Sequence, residues 1–123
     1  MNREAFEELV LRALRALPPR FRKRLDNVEV VVKERPSQKI MAECGVESPG
    51  VLLGLYRGIP LRERGAWYGN VLPDQIIIFQ RPLESMYPTK GELERRIREV
   101  LMHEIGHHFG LGEEEMEDAR EET

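Results

Sequence analysis

From Glu4 to Leu17 the apolar residues Phe6, Leu9, Val10, Ala13, Leu14 and Leu17 recur at helical spacing, so this stretch predicts a helix with one buried face. Pro18–Pro19 stops it, and RFRKRLD adds one or two turns begun by Pro19. VEVVVKE, Val28 to Glu34, is rich in β-branched residues and predicts a strand. Residues 35–50 carry two prolines and two glycines and read as mostly loop. VLLGLYRG, Val51 to Gly58, predicts a second strand, and QIIIFQ, Gln75 to Gln80, a third and more buried one. Between them IPLRERGAWYGNVLPD forms a loop long enough to suggest binding. RPLESMYPTKG then leads into the main helix, Glu92 to Phe109, and the tail EEEMEDAREET forms a short helix or frays. The pattern predicts an α+β fold: a small sheet of three strands with helices packed on it, as one domain over residues 1–123.

Composition narrows the function classes. The chain is 41% hydrophobic, enough for a modest core, and its net charge of −3 gives no reason to expect nucleic acid. Its basic residues are 15 Arg against 4 Lys, which suits forked ion pairs and a heat-resistant surface. The single cysteine, Cys44, excludes a disulfide within the chain and fits a reducing compartment. The start, MNREAFEELV, lacks the apolar stretch of a secretory signal, and no run is long enough to span a membrane. A cytoplasmic location is the expectation.

The candidate chemistry lies in HEIGHHFG, residues 103–110, which holds all three histidines. On a helix of about 3.6 residues per turn, Leu93, Ile97, Val100, Leu101 and Ile105 share one arc and face the core. His103 and His107, four apart, project from one side at the edge of that arc. Glu104 falls inside it, where a carboxylate is costly unless it has a partner. Neutral imidazoles one turn apart can hold one Zn²⁺, and the two histidines beside Glu104 explain its position. Glu104 would then act as general base on a water that the metal acidifies. His108 points about 100° away from His107 and cannot share the metal on an intact helix. It is expected to be a polar residue at the edge of the core, or a donor to a ligand.

Catalytic zinc usually takes three protein ligands. Gly110 can end the helix in the left-handed conformation and turn the chain back, bringing Glu113 three residues later. The pattern His103-Glu104-x-x-His107-x-x-Gly110-x-x-Glu113 has the spacing of the metzincin signature with Glu in place of the third His. Glu113 is the expected third ligand, with Glu114, Glu115, Glu117 and Asp118 as rivals.

VLMHEIGHHFGLGEEEM, with the upstream GLYRGIPL and LPDQIIIFQRPLE, resembles the short bacterial zincin-like metallopeptidases, or minimal zincins, over nearly the whole chain. The resemblance implies a zincin-like fold with a small mixed sheet and an active-site helix, metal ligands His103 and His107, base Glu104 and an acidic third ligand at Glu113. It also implies a peptide or protein substrate. One departure stands out. Ten residues follow Glu113, leaving little room for the Met-turn that metzincins place below the metal, and Met116 is expected to be an ordinary apolar residue. Set against the metzincins, the pattern is expected to lack the lower subdomain that walls a pocket, and strong general proteolysis is therefore not expected.

Other residues carry weaker signals. Zincins bind peptides along an edge strand, and Leu52 to Arg57, followed by Pro60, is the expected edge, with QIIIFQ inside. Trp67 and Tyr68 line a pocket or clamp their loop, and Tyr56, Tyr68 and Tyr87 are alternatives for stabilising an oxyanion. Cys44, in AECGVES, faintly resembles a thiolate latch but is expected to be an ordinary buried or loop cysteine. Arg12, Arg15, Arg20, Arg22, Lys23 and Arg24 form a basic stretch that reads as a solvated face. Two functions follow from these patterns: a zinc metallopeptidase, or a metal-stabilised protein-binding module with little turnover.

Overall fold

The structure, a computed structural model, describes residues 1–46, 50–58 and 73–110. Helix α1 is Arg3–Arg15, capped by Asn2, whose side chain accepts the Ala5 N–H at 2.8 Å. Pro18–Pro19 stops it as expected, and Pro19 opens the short helix α2, Pro19–Arg22, and a following 3-10 turn, Lys23–Leu25. Strand β1, Val28–Lys33, begins after Asn27, which takes φ +58, a left-handed conformation that asparagine tolerates. Strands β2, Gly54–Arg57, and β3, Asp74–Phe79, complete the described sheet.

The strand order is β1-β3-β2, with β3 parallel to β1 and antiparallel to β2. Among the described strands the sheet is therefore mixed, β3 is central and β2 lies at an edge, as the resemblance to the zincins implies. The chemistry of β3 fits its place: Ile76, Ile77, Ile78 and Phe79 are all fully buried. Ile76 and Ile78 join Val28, Val30 and Val32 of β1 against the apolar faces of two helices. One is α1, through Phe6, Leu9, Val10 and Ala13; the other is α5, Lys90–His108, through Leu93, Ile97, Val100, Leu101 and Ile105.

Two short helices correct the loop expectations. Within residues 35–50, Gln38–Glu43 forms α3, because the Ser37 hydroxyl accepts the Ile40 N–H at 3.1 Å and the next residues are good helix formers. Gln80 does not end the strand but starts α4, Gln80–Met86. Pro82 is tolerated there because the first turn of a helix has no intrahelical use for its N–H. Helix α5 starts two residues before the expected Glu92, where Thr89 caps it by accepting the Glu92 N–H at 3.2 Å. Thr89 followed by Glu92 is the spacing of a capping box.

The contact that positions the site is between β2 and α5. A Cβ built on Gly54 would lie 2.5 Å from Val100 Cγ1, so only glycine lets the strand approach the helix this closely. Leu53 O accepts the Phe79 N–H at 3.0 Å. By antiparallel alternation Leu55 and Arg57 also turn their backbone polar groups to β3, while those of Gly54 and Tyr56 point away from it.

Gly54→Ala should therefore destabilise the chain by about 1–3 kcal/mol through overpacking, and by less in a Val100→Ala background. Urea melts of the four variants of this cycle measure it; equal costs in the two backgrounds would place the clash elsewhere. A second expectation concerns acid. Glu84 accepts from Gln80 Nε2 at 2.8 Å and Arg81 Nη1 at 3.0 Å, and lies 3.4 Å from the Met1 ammonium. Burial pushes its carboxyl up, but these donors outweigh it and hold it below the ordinary glutamate value. A depressed carboxyl stabilises the fold above its unfolded pKa of about 4.3, and that stability is lost as pH falls through the folded value. Urea midpoints taken from pH 7 downwards should fall over that window in the wild type and less steeply in Glu84→Gln.

Candidate functional site

Helix α5 carries two adjacent stripes, set by its own period. Val100, Glu104 and His108, each one turn apart, face β2. His103 and His107 form the neighbouring stripe and are both exposed. Their rings stand 4.1 Å apart between centroids, tilted by 54°. They occupy the last turns of α5, where the unsatisfied carbonyls give the helix end a partial negative charge that favours a cation.

Glu104 is half-buried, and its partner corrects the expectation. Its Oε1 accepts the backbone N–H of Tyr56 at 2.9 Å. This is the amide that β2 directs away from β3. The carboxylate is stabilised by the edge strand, so the cost of its inward position is met without a metal. No residue near Glu104 in sequence could announce this, since Tyr56 lies 48 positions away.

His108 is exposed rather than set at the edge of the core. Its ring stacks on Tyr56 with centroids 3.7 Å apart and planes 13° from parallel. Its Nε2 is 3.9 Å from Asp74 Oδ2, and the Tyr56 hydroxyl donates to that same oxygen at 3.0 Å. The Phe109 ring meets Tyr56 edge-on at 6.0 Å, and the Arg24 guanidinium lies 5.4 Å over Phe109. The Tyr56 hydroxyl is thus committed to Asp74, at the start of β3, rather than free to act as an oxyanion donor. Tyr87 sits at the core with Arg96 over its ring, 5.9 Å away, and Tyr68 lies outside the described residues.

Helix α5 closes at Phe109, and Gly110 takes φ +69, the left-handed turn expected of it. Glu113, with Glu114, Glu115, Met116, Glu117 and Asp118, lies outside the described residues, as do Pro60 and Trp67. Among the described residues no three of His, Cys, Asp or Glu converge to hold a metal, so Cys44 does not join the histidines. It is exposed at the end of α3, not buried. Two imidazoles one turn apart still fit half of a tetrahedral zinc site in donor type and spacing.

A groove of about 570 Å³ opens beside these stripes. Its walls are Val51 to Gly54 on one side and Arg96, Glu99, Val100 and Met102 on the other, and it ends at His103 and Glu104. Arg96 and Glu99 pair across one turn at 2.9 Å, which leaves this wall close to neutral. Among the described residues no strand pairs with β2 on its outer side. No helix among them is long and apolar enough to cross a membrane.

His108→Ala should lower stability by about 0.5–1.5 kcal/mol, the worth of a stacked aromatic pair, by loosening β2 from the helix end. A urea melt checks this; an unchanged midpoint would mean that the stack bears no load.

The comparisons with known proteins bear on the same segment. No curated protein matches the chain. The sequence profile of the zincin-like metallopeptidases does, over residues 25–122, from the turn before β1 through the whole of α5 and beyond. With most of its length matched, its mixed sheet and its helix bearing HEIGHH, the chain belongs to the family of zincin-like metallopeptidases.

Proposed function

We propose that the protein is a zinc-dependent peptidase, with His103 and His107 as metal ligands, Glu113 as the third, and Glu104 as general base. The observation that carries this reading is the arrangement on α5: two exposed imidazoles 4.1 Å apart, next to a carboxylate held against an edge strand. When bound, zinc supplies Lewis acidity, acidifying water and polarising a carbonyl. His103 and His107 serve as the imidazole donors, both exposed on the same stripe of α5.

Glu104 takes the proton of the attacking water at its carboxylate and passes it to the leaving amine nitrogen. The peptide lies along β2, reached through the backbone groups that Gly54 turns away from β3, while the Tyr56 N–H stays on Glu104. A side chain of the peptide enters the groove between Val51–Gly54 and α5, which ends at the reacting groups. An extended substrate strand is therefore preferred over a folded one, because only an extended backbone can pair with an edge. Unfolded segments and peptides are the substrate class.

Metal analysis and peptide cleavage test this together. The wild type should hold one zinc per chain and cleave unfolded substrates. Glu104→Gln should keep the zinc and lose about 10²–10⁴-fold in rate, as expected of a lost general base. His103→Ala and His107→Ala should each weaken zinc binding by more than the roughly 10–100-fold that loss of an outer partner costs. Failure of the wild type to take up zinc at neutral pH sinks the proposal.

A further inference from the structure

We infer that Tyr56 is the positioning residue for Glu104: it fixes the carboxylate through its backbone amide and locks that amide in place through its side chain. This rests on Glu104 being the base, and it adds a residue that the HExxH spacing does not contain.

Tyr56 meets α5 on two consecutive turns. Its N–H donates to Glu104 Oε1 at 2.9 Å, and its ring stacks on His108, one turn further on, at 3.7 Å. Its hydroxyl donates to Asp74 Oδ2 at 3.0 Å, at the first residue of β3. The residue is thus tied to the helix by backbone and ring, and to the central strand by its hydroxyl. Of the flanking glycines, Gly54 gives the strand its close approach, whereas a Cβ at Gly58 would make only ordinary contact. A Cβ at Gly54 would meet Val100 at 2.5 Å, and one at Gly58 would lie 3.9 Å from His108 Cε1.

A backbone amide is an apt donor for this task. It does not titrate, and the sheet fixes its direction, since Leu55 and Arg57 on either side pair with β3. Glu104 lies in the last turns of α5, where the helix end repels an anion and would favour its swinging into solvent. The Tyr56 N–H opposes that. It commits Oε1 to the strand and leaves Oε2 to take the proton. A general base must sit within hydrogen-bond reach of the proton it removes, and small misplacement is costly in rate. The inference makes β2 more than a substrate rail: the strand that receives the peptide also sets the base.

The test uses the full chain loaded with zinc and reads both the contact and its consequence. In amide exchange, the Tyr56 N–H should be protected in the wild type and exchange about tenfold faster or more in Glu104→Ala, while the Leu55 amide, directed to β3, keeps its protection. In kinetics, Tyr56→Ala and Tyr56→Pro both lose the ring, but only Pro loses the N–H. Proline is tolerated on an edge strand where the N–H points away from the ladder. The Pro variant should fall about tenfold or more below the Ala variant in kcat, with KM and zinc stoichiometry shared, and Tyr56→Phe should recover most of the rate lost in Tyr56→Ala. Equal kcat in the Ala and Pro variants, or a Tyr56 amide indifferent to Glu104→Ala, would overturn the inference. A wild type that holds zinc but cleaves nothing refutes the peptidase reading alone, and amide exchange then decides whether Tyr56 sets Glu104.

Discussion

Two residues of an extended strand advance about 6.6 Å and four residues of a helix about 6 Å, so a strand laid along a helix stays in step with it for a few turns. The site depends on that match between β2 and α5. Gly54 lies against Val100, Tyr56 reaches Glu104 and His108, and Gly58 nears His108. The helix stripe that faces the strand is 100, 104, 108, and the neighbouring stripe, left exposed, is 103, 107. One helix thus divides its labour by geometry: one row grips the edge strand and the next presents the imidazoles. A side chain at Gly54 would push the strand away from the helix and take the Tyr56 amide out of reach of Glu104.

Electrostatics reinforces this division. The C-terminal end of α5 carries partial negative charge, which suits a cation between His103 and His107 and disfavours the carboxylate of Glu104. The carboxylate is kept by a donor from outside the helix, the Tyr56 N–H. Half-burial of Glu104 is then tolerable on its own terms, and the carboxylate stays beside the imidazoles whether or not an ion is present. The groove from Val51 to Glu104 leads along the same strand, so the surface proposed to hold a peptide and the group proposed to attack it share one element.

Much of this was legible in the sequence, and the exceptions have a common cause. Period alone placed α5, its buried face and the side-by-side histidines, because these are local consequences of a helix. β-branched runs placed the strands, and the apolar run QIIIFQ marked β3 as the most buried of them, which Ile76 to Phe79 are in the structure. The short helices α3 and α4 were missed because prolines at 36 and 82 read as loop signals, while the caps that start such helices are weak patterns. Tyr56 was legible only as a tyrosine in a strand and as one of three candidates for an oxyanion donor. Its partnership with Glu104 and His108 depends on β2 lying along α5, and no local spacing encodes a contact across 48 residues. For the same reason Glu104 looked as though it needed a metal, and His108 looked idle.

The central claim is that His103 and His107 share one zinc ion beside Glu104. X-ray absorption at the zinc edge of the loaded protein tests it most directly. The account predicts a shell of nitrogen and oxygen donors at about 2.0–2.2 Å with the outer scattering of two imidazoles, reduced in His103→Ala. A sulfur donor at about 2.3 Å, which only Cys44 or a methionine could supply, or a shell without imidazole, would contradict it.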